Sequence, residues 1–194
     1  GAGSLTTVVE DETLVGDIYS ATWTMSGMFL GLPYQAKGIS IFKFRRKSSR
    51  VYYQRDYYSE GDIMATIPPL IPAIQNFRDY YRCAVEPGFS CPFGGPPSVS
   101  ESLIGFGAPD NPRALSGRDN RLRSPVQLHR AQMKVGRQLV EIHAGNWTEV
   151  LPYLASDYEY RDPIVHIEGP AMMAEFLGRL FAGSSNLYTR VEDE

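Results

Sequence analysis

The same short pattern occurs near both ends of the chain. Thr7–Glu12 reads T-V-V-E-D-E and Thr189–Glu194 reads T-R-V-E-D-E, so five of the six positions agree. Chance rarely places such a match at both termini, although coincidence is the alternative. Overlapping ends are what a circular permutation leaves behind, because the original ends of a domain usually lie close together. The repeat therefore predicts that the two halves of the chain exchange their usual order.

A long stretch rich in glycine and proline separates the two halves. Across residues 86–124 these residues recur without a sustained hydrophobic period, which is typical of a linker and not of a core. A permuted fold requires such a linker, since it must join the original ends. The chain of 194 residues, 43% hydrophobic and 21% charged, predicts one soluble domain over residues 1–194.

The first half has the alternation of β-strands. Hydrophobic and polar residues alternate in three segments separated by glycine, proline or charged turns, which predicts an antiparallel meander. Residues 6–12 alternate more weakly and precede a turn at 13–17, and prolines at 67–72 begin a helix that runs to about Tyr81. The three segments are Ile18–Met25, Gly38–Arg45 and Val51–Tyr58.

The second half is mainly helical. A helical period begins at Pro125, with His143 on its apolar face, and ends at Gly145-Asn146. The remaining segments are a short helix over Trp147–Leu154, a strand over Ser156–Asp162, a loop or bent strand over Pro163–Gly169, a helix over Pro170–Phe181 and a last strand over Leu187–Glu194.

An acid stands at the centre of the third alternating segment. In Val51–Tyr58 the side chains of Gln54, Asp56 and Tyr58, together with Tyr52, point to one face of the strand. A carboxylate among aromatic residues is costly to bury without partners. Asp56 is therefore either a structural hydrogen-bond acceptor or the catalytic or ligand-contacting group of a cavity.

Charge and composition exclude several classes of partner. A net charge of -3 gives no basic field for nucleic acid, and the basic cluster around Arg45 and Lys47 is typical of a solvated turn. No apolar run reaches the roughly 18 residues that span a bilayer, and no basic-then-apolar signal is present. We therefore expect a cytoplasmic protein with no nucleic-acid or membrane partner.

Cofactor and metal motifs are absent from the sequence. There is no phosphate loop and no nucleophile elbow, and Asp162, His166 and Glu168 match no recognised metal spacing, so we expect no cofactor and no metal. Cys83 and Cys91 are expected to be reduced, while a disulfide between them stays possible because they bracket a tight Pro-Gly segment.

Read from Leu128 to Glu194 and then from Thr13 to Tyr81, the chain contains four characteristic segments in a fixed order. They are His143–Trp147, Asp157–Pro163, Gly169–Ala171 and Gln54–Tyr58. With these segments the chain resembles the nuclear-transport-factor-2-like superfamily, in the branch that contains SnoaL-like polyketide cyclases, ketosteroid isomerases and limonene-type epoxide hydrolases.

The resemblance implies an α+β fold in which a strongly curved mixed sheet forms a cone around an apolar cavity and is closed by helices. In this circularly permuted arrangement, residues 5–85 are the C-terminal half of the parent fold, residues 86–124 the linker and residues 125–194 the N-terminal half. Dimers are common in the superfamily, so a homodimer is expected.

The resemblance also implies catalytic positions. Ketosteroid isomerases carry their general base in a segment similar to Asp162-Pro163, but the positions of their oxyanion hole correspond here to Gln138 and Ser40. Limonene-type epoxide hydrolases carry an aspartate in a segment similar to Arg55–Tyr58 and water-positioning groups where this chain has Tyr160 and Asp162. Their Arg-x-Asp pair has no counterpart in the strand that begins at Ile18.

We therefore expect a SnoaL-like enzyme that uses acid/base chemistry on a hydrophobic small molecule: an isomerisation, an aldol-type cyclisation or an epoxide opening. Asp56 is the expected base, Asp162 the partner acid or second base, and Tyr160 the orienting hydrogen-bond donor. The alternative is a non-catalytic ligand-binding or dimerising module, with Tyr53, Tyr57 and Phe44 as interface aromatics. The expected substrate contacts are Trp23, Phe42, Gln54, Tyr58 and His143.

Overall fold

The computed structural model of the protein describes residues 6–29, 32–59, 61, 77–91, 124–143 and 146–185. In this part of the chain it contains six strands and four α-helices. In chain order they are β1 (Thr6–Val15), β2 (Ile18–Phe29), β3 (Leu32–Phe44), β4 (Val51–Tyr58), α1 (Phe77–Val85), α2 (Pro125–Val140), α3 (Trp147–Val150), a 3-10 turn (Leu151–Tyr153), β5 (Leu154–Arg161), β6 (His166–Glu168) and α4 (Gly169–Ser185).

The six strands form one open mixed sheet in the order β1-β2-β3-β4-β5-β6. Strands β1 to β4 pair in antiparallel fashion, as do β5 and β6, whereas β4 and β5 pair in parallel. The α+β class and the antiparallel meander predicted from the sequence are confirmed. The parallel pair joins the two halves of the chain side by side in the middle of the sheet.

The strands are longer than their hydrophobic pattern predicted. Ser26-Gly27 was expected to end β2, but these residues pair with Gln35 and Tyr34 of β3. Likewise, β1 continues to Val15, and the turn is confined to Gly16, whose φ of 61° suits glycine, and the residue after it. Ladder hydrogen bonds to a neighbouring strand therefore outweigh the local turn propensity.

A bulge changes which residues of β4 face the core. Phe44 pairs with Val51 while Lys43 pairs with Tyr53, so Tyr52 is the extra residue. Val51 is thereby fully buried on the same side as Gln54 and Asp56. The expectation that Val51 faces away from these residues is wrong, because strict alternation does not hold through a bulge.

Helices cover one face of the sheet. Helix α2 begins with a capping box in which Ser124 accepts a hydrogen bond from the backbone of Gln127. It approaches closely at Gly136, where an added Cβ would lie 2.6 Å from the ring of Tyr19. On the other side, Phe176 of α4 packs on the ring of Tyr160 with ring centroids 5.7 Å apart. Both helices bury their apolar faces against the aromatic residues of the sheet.

The uncovered face of the sheet carries several exposed apolar side chains. Val8, Ile39 and Tyr57 are 58%, 45% and 44% exposed, respectively. Phe44, which was grouped with Tyr57 as an interface aromatic, is buried in the core at 2% exposure. Phe44 is five residues from Ile39 along β3, so its side chain points to the other face of the sheet, which the helices cover.

Helix α3 is shorter than expected, because the chain tightens into a 3-10 turn at Pro152 and Leu154 already belongs to β5. None of the helices in the described ranges is long and apolar enough to cross a membrane. The cytoplasmic location stays a prediction. The expected helix start at 67–72, most of the linker and the strand at 187–194 lie outside the described residues.

Cys83 at the end of α1 and Cys91 are joined by a disulfide bond. The expectation of reduced thiols is therefore wrong, and the alternative that the sequence left open is what the structure contains. The bond closes the chain that follows α1 back onto the helix. Arg82 lies over the ring of Phe89 within the closed segment and pairs with Glu86.

Candidate functional site

The carboxyl group of Asp56 is held by two side chains. Ser40, its partner across the β3–β4 ladder, donates a hydrogen bond to Asp56 Oδ1 at 2.6 Å. Gln54 Nε2 lies 3.2 Å from Oδ1 and 3.3 Å from Oδ2. Both donors come from the face of the sheet that the helices cover, so the carboxyl group has a fixed orientation inside the protein.

A second layer of hydrogen bonds orients these donors. Trp23 Nε1 donates to Ser40 Oγ at 2.8 Å, so the serine hydroxyl is free to donate its own proton to Asp56. The indole ring of Trp23 lies across Gly38 of β3, where a Cβ would clash with it. Gly38 thus permits the ring position from which Trp23 reaches Ser40.

Tyr158 fixes the amide of Gln54. Its hydroxyl donates to Gln54 Oε1 at 2.6 Å, which leaves the amide nitrogen directed at Asp56. Tyr158 is 1% exposed, and Gln54 is 5% exposed. Because both groups are buried, the hydrogen bond between Tyr158 and Gln54 is shielded from solvent, whereas Asp56 is partly buried and lines the pocket.

The two oxygens of Asp162 have different partners. Oδ1 accepts hydrogen bonds from the backbone nitrogens of Ile164 and Val165, at 2.7 and 2.6 Å, which closes the turn after β5. Oδ2 accepts a hydrogen bond from Tyr160 at 2.9 Å. Asp162 therefore organises a turn with one oxygen and meets the tyrosine of the site with the other.

Asp56 and Asp162 line one pocket between the sheet and helices α2 and α4. Counted with its opening to solvent, the empty space is about 780 Å³. The polar groups come mainly from β3, β4 and β5, and the helices contribute apolar side chains. The residues that α2 and α4 contribute to the wall are Leu139, Val140, Met173, Phe176, Leu177 and Leu180.

Burial raises the pKa of Asp56 from 3.8 to about 6. The hydrogen bonds from Ser40 and Gln54 oppose this rise because they stabilise the carboxylate, while the negative charge of Asp162 adds to it. Burial also raises the pKa of Asp162, against the hydrogen bonds from Val165 and Ile164. Both carboxyl groups therefore hold their proton more tightly than they would in water.

The buried tyrosines of the site remain protonated. Burial raises the pKa of Tyr158 well above its usual value, and the charge of Asp56 raises it further. The pKa of Tyr160 is raised for the same reasons, with Asp162 adding more than Asp56. Each tyrosine is thus a hydrogen-bond donor and not a base at neutral pH.

The structure brings together most of the residues that the sequence predicted for the site. Six of them line the pocket: Asp56, Tyr160, Asp162, Trp23, Gln54 and Tyr58. Phe42 is fully buried against Tyr19, with ring centroids 5.7 Å apart, and is not part of the pocket wall. His143 follows the end of α2 at Val140, is exposed and does not line the pocket, whereas its neighbour Ile142 does.

Several site residues were missed by sequence reasoning. From the sequence, Ser40 was noted only as a position that corresponds to the oxyanion hole of ketosteroid isomerases. In the structure its hydroxyl group donates a hydrogen bond directly to Asp56. Tyr81 of α1 and Thr7 of β1 also line the pocket. Counting the β3–β4 register from the turn would place Ser40 opposite Arg55, because the bulge at Tyr52 shifts the pairing by one residue. No local signal in the sequence identifies Ser40, Thr7 or Tyr81 as site residues.

Within the described ranges, no three His, Cys, Asp or Glu side chains come together as a metal site requires. His166 is exposed on β6, where its Nε2 lies 3.1 Å from Glu159 Oε1 and 3.6 Å from Glu168 Oε1. It therefore faces an acidic pair at the sheet edge, and it is not among the residues of the pocket.

Comparison of the chain with known protein families, with curated proteins and with solved structures finds no match.

Proposed function

We propose that the chain is a circularly permuted, cone-shaped member of the nuclear-transport-factor-2-like superfamily. Two observations support this. First, β4 and β5, which come from opposite halves of the chain, are parallel neighbours. Second, Thr7–Glu12 lies in the edge strand β1, and its one difference from Thr189–Glu194 is at Val8, which is exposed. The buried Thr7 recurs in the second copy, as do the exposed Glu10 and Asp11.

A rejoined chain tests the permutation. Residues 125–194 would be followed directly by residues 13–91, so that Thr189–Glu194 replaces Thr7–Glu12. We expect this protein to unfold cooperatively in urea with a midpoint close to that of the parent. In the matched control, residues 189–194 are replaced by a Gly/Ser segment of equal length. Loss of folding in the rejoined chain, or equal stability of the control, would contradict the permutation.

We infer that the pocket carries out acid/base chemistry on a hydrophobic small molecule, as a SnoaL-like enzyme. The observation that carries this inference is the carboxyl group of Asp56, which is partly buried in a largely apolar pocket with its pKa raised to about 6. Such a group is mostly ionised at pH 7 and yet is a stronger base than an aspartate in water. A structural acid paired with a cation would have a lowered pKa instead.

The geometry favours Asp56 as the base. Its two donors are neutral side chains, whereas one oxygen of Asp162 is committed to two backbone nitrogens of a turn. In this mechanism the Asp56 carboxylate removes a proton from a carbon next to a carbonyl group, and the electron pair moves to the carbonyl oxygen. Asp162 is the second acid of the site, and Tyr160 holds it in place.

The enolate formed in this way can react further by two routes. The protonated Asp56 can return its proton to a different carbon, which is an isomerisation. Alternatively, the enolate carbon attacks a second carbonyl group of the same molecule, and the alkoxide that forms takes the proton from Asp56, which is an aldol-type cyclisation. Epoxide opening uses the same groups differently: Asp56 takes a proton from water as the water oxygen bonds to an epoxide carbon, and Asp162 in its acid form protonates the epoxide oxygen as that C–O bond breaks. Proton transfer from Asp56 back to Asp162 through solvent restores the site. Proton removal by Asp56 is common to all three.

A generic probe tests the base without knowledge of the natural substrate. The ring opening of nitrobenzisoxazole needs only a base that removes its ring proton; the N–O bond then breaks and a coloured cyanonitrophenolate is released. We expect turnover with an apparent pKa near 6 and a loss of at least about 100-fold in Asp56→Asn. Asp157→Asn is the matched control on β5, since Asp157 is exposed and pairs with Arg45. Full activity of Asp56→Asn would rule it out as the base.

One observation favours the rival function, a dimerising module. Ile39 and Tyr57 are neighbours in the β3–β4 ladder on the uncovered face and are both nearly half exposed. A homodimer formed through this face would bury them. Sedimentation of the parent and of Ile39→Lys tests it: a dimer that dissociates in the variant supports the interface, and a monomeric parent refutes it. Asp56→Asn should leave the dimer intact, which separates this function from the acid/base activity.

A further inference from the structure

Asp56 and Asp162 lie side by side at the sheet wall of the pocket. In the parallel β4–β5 ladder Gln54 pairs with Tyr160, and each aspartate comes two residues after one member of this pair. Side chains two residues apart share a face, and neighbouring strands are about 4.8 Å apart. The negative charge of Asp162 raises the pKa of Asp56, which agrees with this proximity. The pocket therefore holds two adjacent carboxyl groups.

No basic side chain accompanies this carboxyl pair. Of the pocket-lining residues in the described part of the chain, none is Lys, Arg or His. The hydrogen-bond donors to the two carboxyl groups are hydroxyl groups, an amide and backbone nitrogens, all of them neutral. Two adjacent carboxylates repel each other, so the pair either retains a proton or takes up a positively charged ligand.

Aromatic rings line the pocket together with the carboxyl pair. The rings of Trp23 and Tyr58 have centroids 6.4 Å apart and are tilted by 56°, and those of Tyr160 and Phe176 are 5.7 Å apart. Tyr160 also donates a hydrogen bond to Asp162, so aromatic and acidic groups meet at one place. The faces of aromatic rings attract cations within about 6 Å. Rings and carboxyl groups thus favour the same kind of charge.

The cation that suits this site is organic. A metal site in a protein generally has three or more ligating side chains, and within the described ranges no such group of His, Cys, Asp and Glu comes together. The helix side of the pocket is apolar and suits the hydrocarbon part of a ligand. A carboxylate offers about four acceptor positions, so Asp56 and Asp162 can accept N–H groups in addition to their present donors.

We propose that the pocket binds a protonated amine, whose ammonium group lies between Asp56 and Asp162 beside the aromatic rings and whose apolar part lies against α2 and α4. The proposal rests on the proposed function and names its substrate class, a hydrophobic amine that also carries a carbonyl group. Asp162 is ionised when it pairs with the ammonium group, so it does not protonate an epoxide oxygen. This substrate class therefore selects the two enolate routes.

Three small probes of similar length test the proposal by titration calorimetry of the parent at pH 7. They are 4-phenylbutylamine, which is positively charged, 4-phenylbutan-1-ol, which is neutral, and 4-phenylbutanoate, which is negatively charged. We expect the amine to bind at least about 10-fold more tightly than the alcohol, and the carboxylate to bind most weakly. Equal or tighter binding of the alcohol or of the carboxylate would overturn the proposal, as would a lack of amine binding at millimolar concentration.

Neutral variants of similar shape locate the ammonium group. Asp56→Asn and Asp162→Asn each remove one negative charge, and asparagine at position 162 keeps an oxygen for the backbone nitrogens of the turn. We expect each variant to reduce the preference for the amine over the alcohol by at least about 3-fold, and the double variant to abolish it. The affinity for the alcohol should stay the same, which shows that the pocket is intact.

Asp157→Asn is the matched control, because this exposed carboxylate of β5 pairs with Arg45 outside the pocket. It should keep the preference of the parent. An unchanged preference in the double variant, or an equal loss in Asp157→Asn, would show that the amine binds elsewhere and would overturn the proposal. If the double variant does not fold, the order of the three probes on the parent decides.

The result is separate from the catalytic test. If the amine is preferred but nitrobenzisoxazole is not turned over, the pocket is a binding site for cations and the acid/base function fails alone. If turnover depends on Asp56 but the amine binds no better than the alcohol, the substrate class fails alone.

Discussion

Ser40 and Asp56, which both line the pocket, form a hydrogen bond with 2.6 Å between Ser40 Oγ and Asp56 Oδ1. They are directly paired residues of β3 and β4, so the register of the sheet fixes the contact. The serine stabilises the charged form of a carboxyl group that burial drives towards the neutral form. This balance keeps the pKa of Asp56 near neutrality instead of far above it.

Removal of the serine hydroxyl should shift this balance. In Ser40→Ala, the Asp56 carboxylate loses a charge-assisted hydrogen bond worth about 1.5 kcal/mol, so we expect its pKa to rise by roughly one pH unit above about 6. The pH profile of nitrobenzisoxazole turnover measures the shift. Ser20→Ala, on the opposite face of β2, is the control and should leave the profile unchanged. A profile of Ser40→Ala that overlays the parent would contradict the role of the serine.

The raised pKa of Asp56 also predicts a dependence of stability on pH. Between pH 3.8 and about 6 the native state binds more protons at this group than the unfolded state, so its contribution to the free energy of unfolding falls as the pH rises. The shift corresponds to roughly 3 kcal/mol. Asp56→Asn has no carboxyl group to ionise, so its stability relative to the parent should be higher at pH 7 than at pH 4 by about 2.4 kcal/mol, since part of the effect is already present at pH 4.

Urea unfolding of both proteins at pH 4, 5.5 and 7 measures this difference. Because the other titrating groups are common to the two proteins, their contributions largely cancel in the comparison. Asp157→Asn supplies the control, since that exposed carboxylate is outside the pocket. A stability difference that is the same at all three pH values would show that Asp56 is not perturbed by burial.

The sequence predicted the faces of the strands well, because side-chain alternation is local. Alternation over Ile18–Met25 predicts that every second residue shares a face, and Tyr19, Ala21 and Trp23 of β2 are all buried. The same rule grouped Asp56 with Gln54 and Tyr58. It failed at Val51 because the bulge at Tyr52 depends on the pairing of two strands, which a single segment does not reveal.

Position along a strand was harder to predict than face. Phe42 and Ser40 are two residues apart on β3, so their side chains lie on the same face. Phe42 is nevertheless buried in the core beside Tyr19, whereas Ser40 lines the pocket. Helix α2 closes the sheet near Tyr19, at Gly136, and this docking is a tertiary contact. Whether a residue belongs to the core or to the cavity depends on such contacts, which explains why Phe42 was expected in the site and Thr7 was not.

The disulfide gives a prediction about the stability of α1. Cys83 and Cys91 are separated by 8 residues, and a short loop of this kind lowers the entropy of the unfolded chain by an amount worth about 2 to 3 kcal/mol. Treatment of the parent with a thiol reductant should reduce the free energy of unfolding by about this amount. The double variant Cys83→Ala and Cys91→Ala should match the reduced parent and be insensitive to the reductant. Two alkylatable thiols in the untreated native protein would contradict the bond.

Gly38 provides the sharpest test of how the pocket is supported. A Cβ at this position would clash with the indole ring of Trp23 and lie 2.7 Å from the carbonyl oxygen of Tyr57, so neither a rotamer change nor a small backbone shift removes both contacts. We expect Gly38→Ala to lower the free energy of unfolding by about 1 to 3 kcal/mol. The displaced indole also loses its hydrogen bond to Ser40, so the apparent pKa of Asp56 should change with it.

Gly178→Ala is the matched control for Gly38→Ala, because a Cβ on that residue of α4 meets nothing closer than 3.8 Å. Alanine is the better helix former, so this variant should be stabilised by about 0.5 to 1 kcal/mol with an unchanged pH profile. Urea unfolding and the pH profile of turnover together distinguish the two variants. If Gly38→Ala loses stability but keeps the parent profile, then Trp23 packs beside the site without orienting Ser40, and the second layer of hydrogen bonds has no influence on the base.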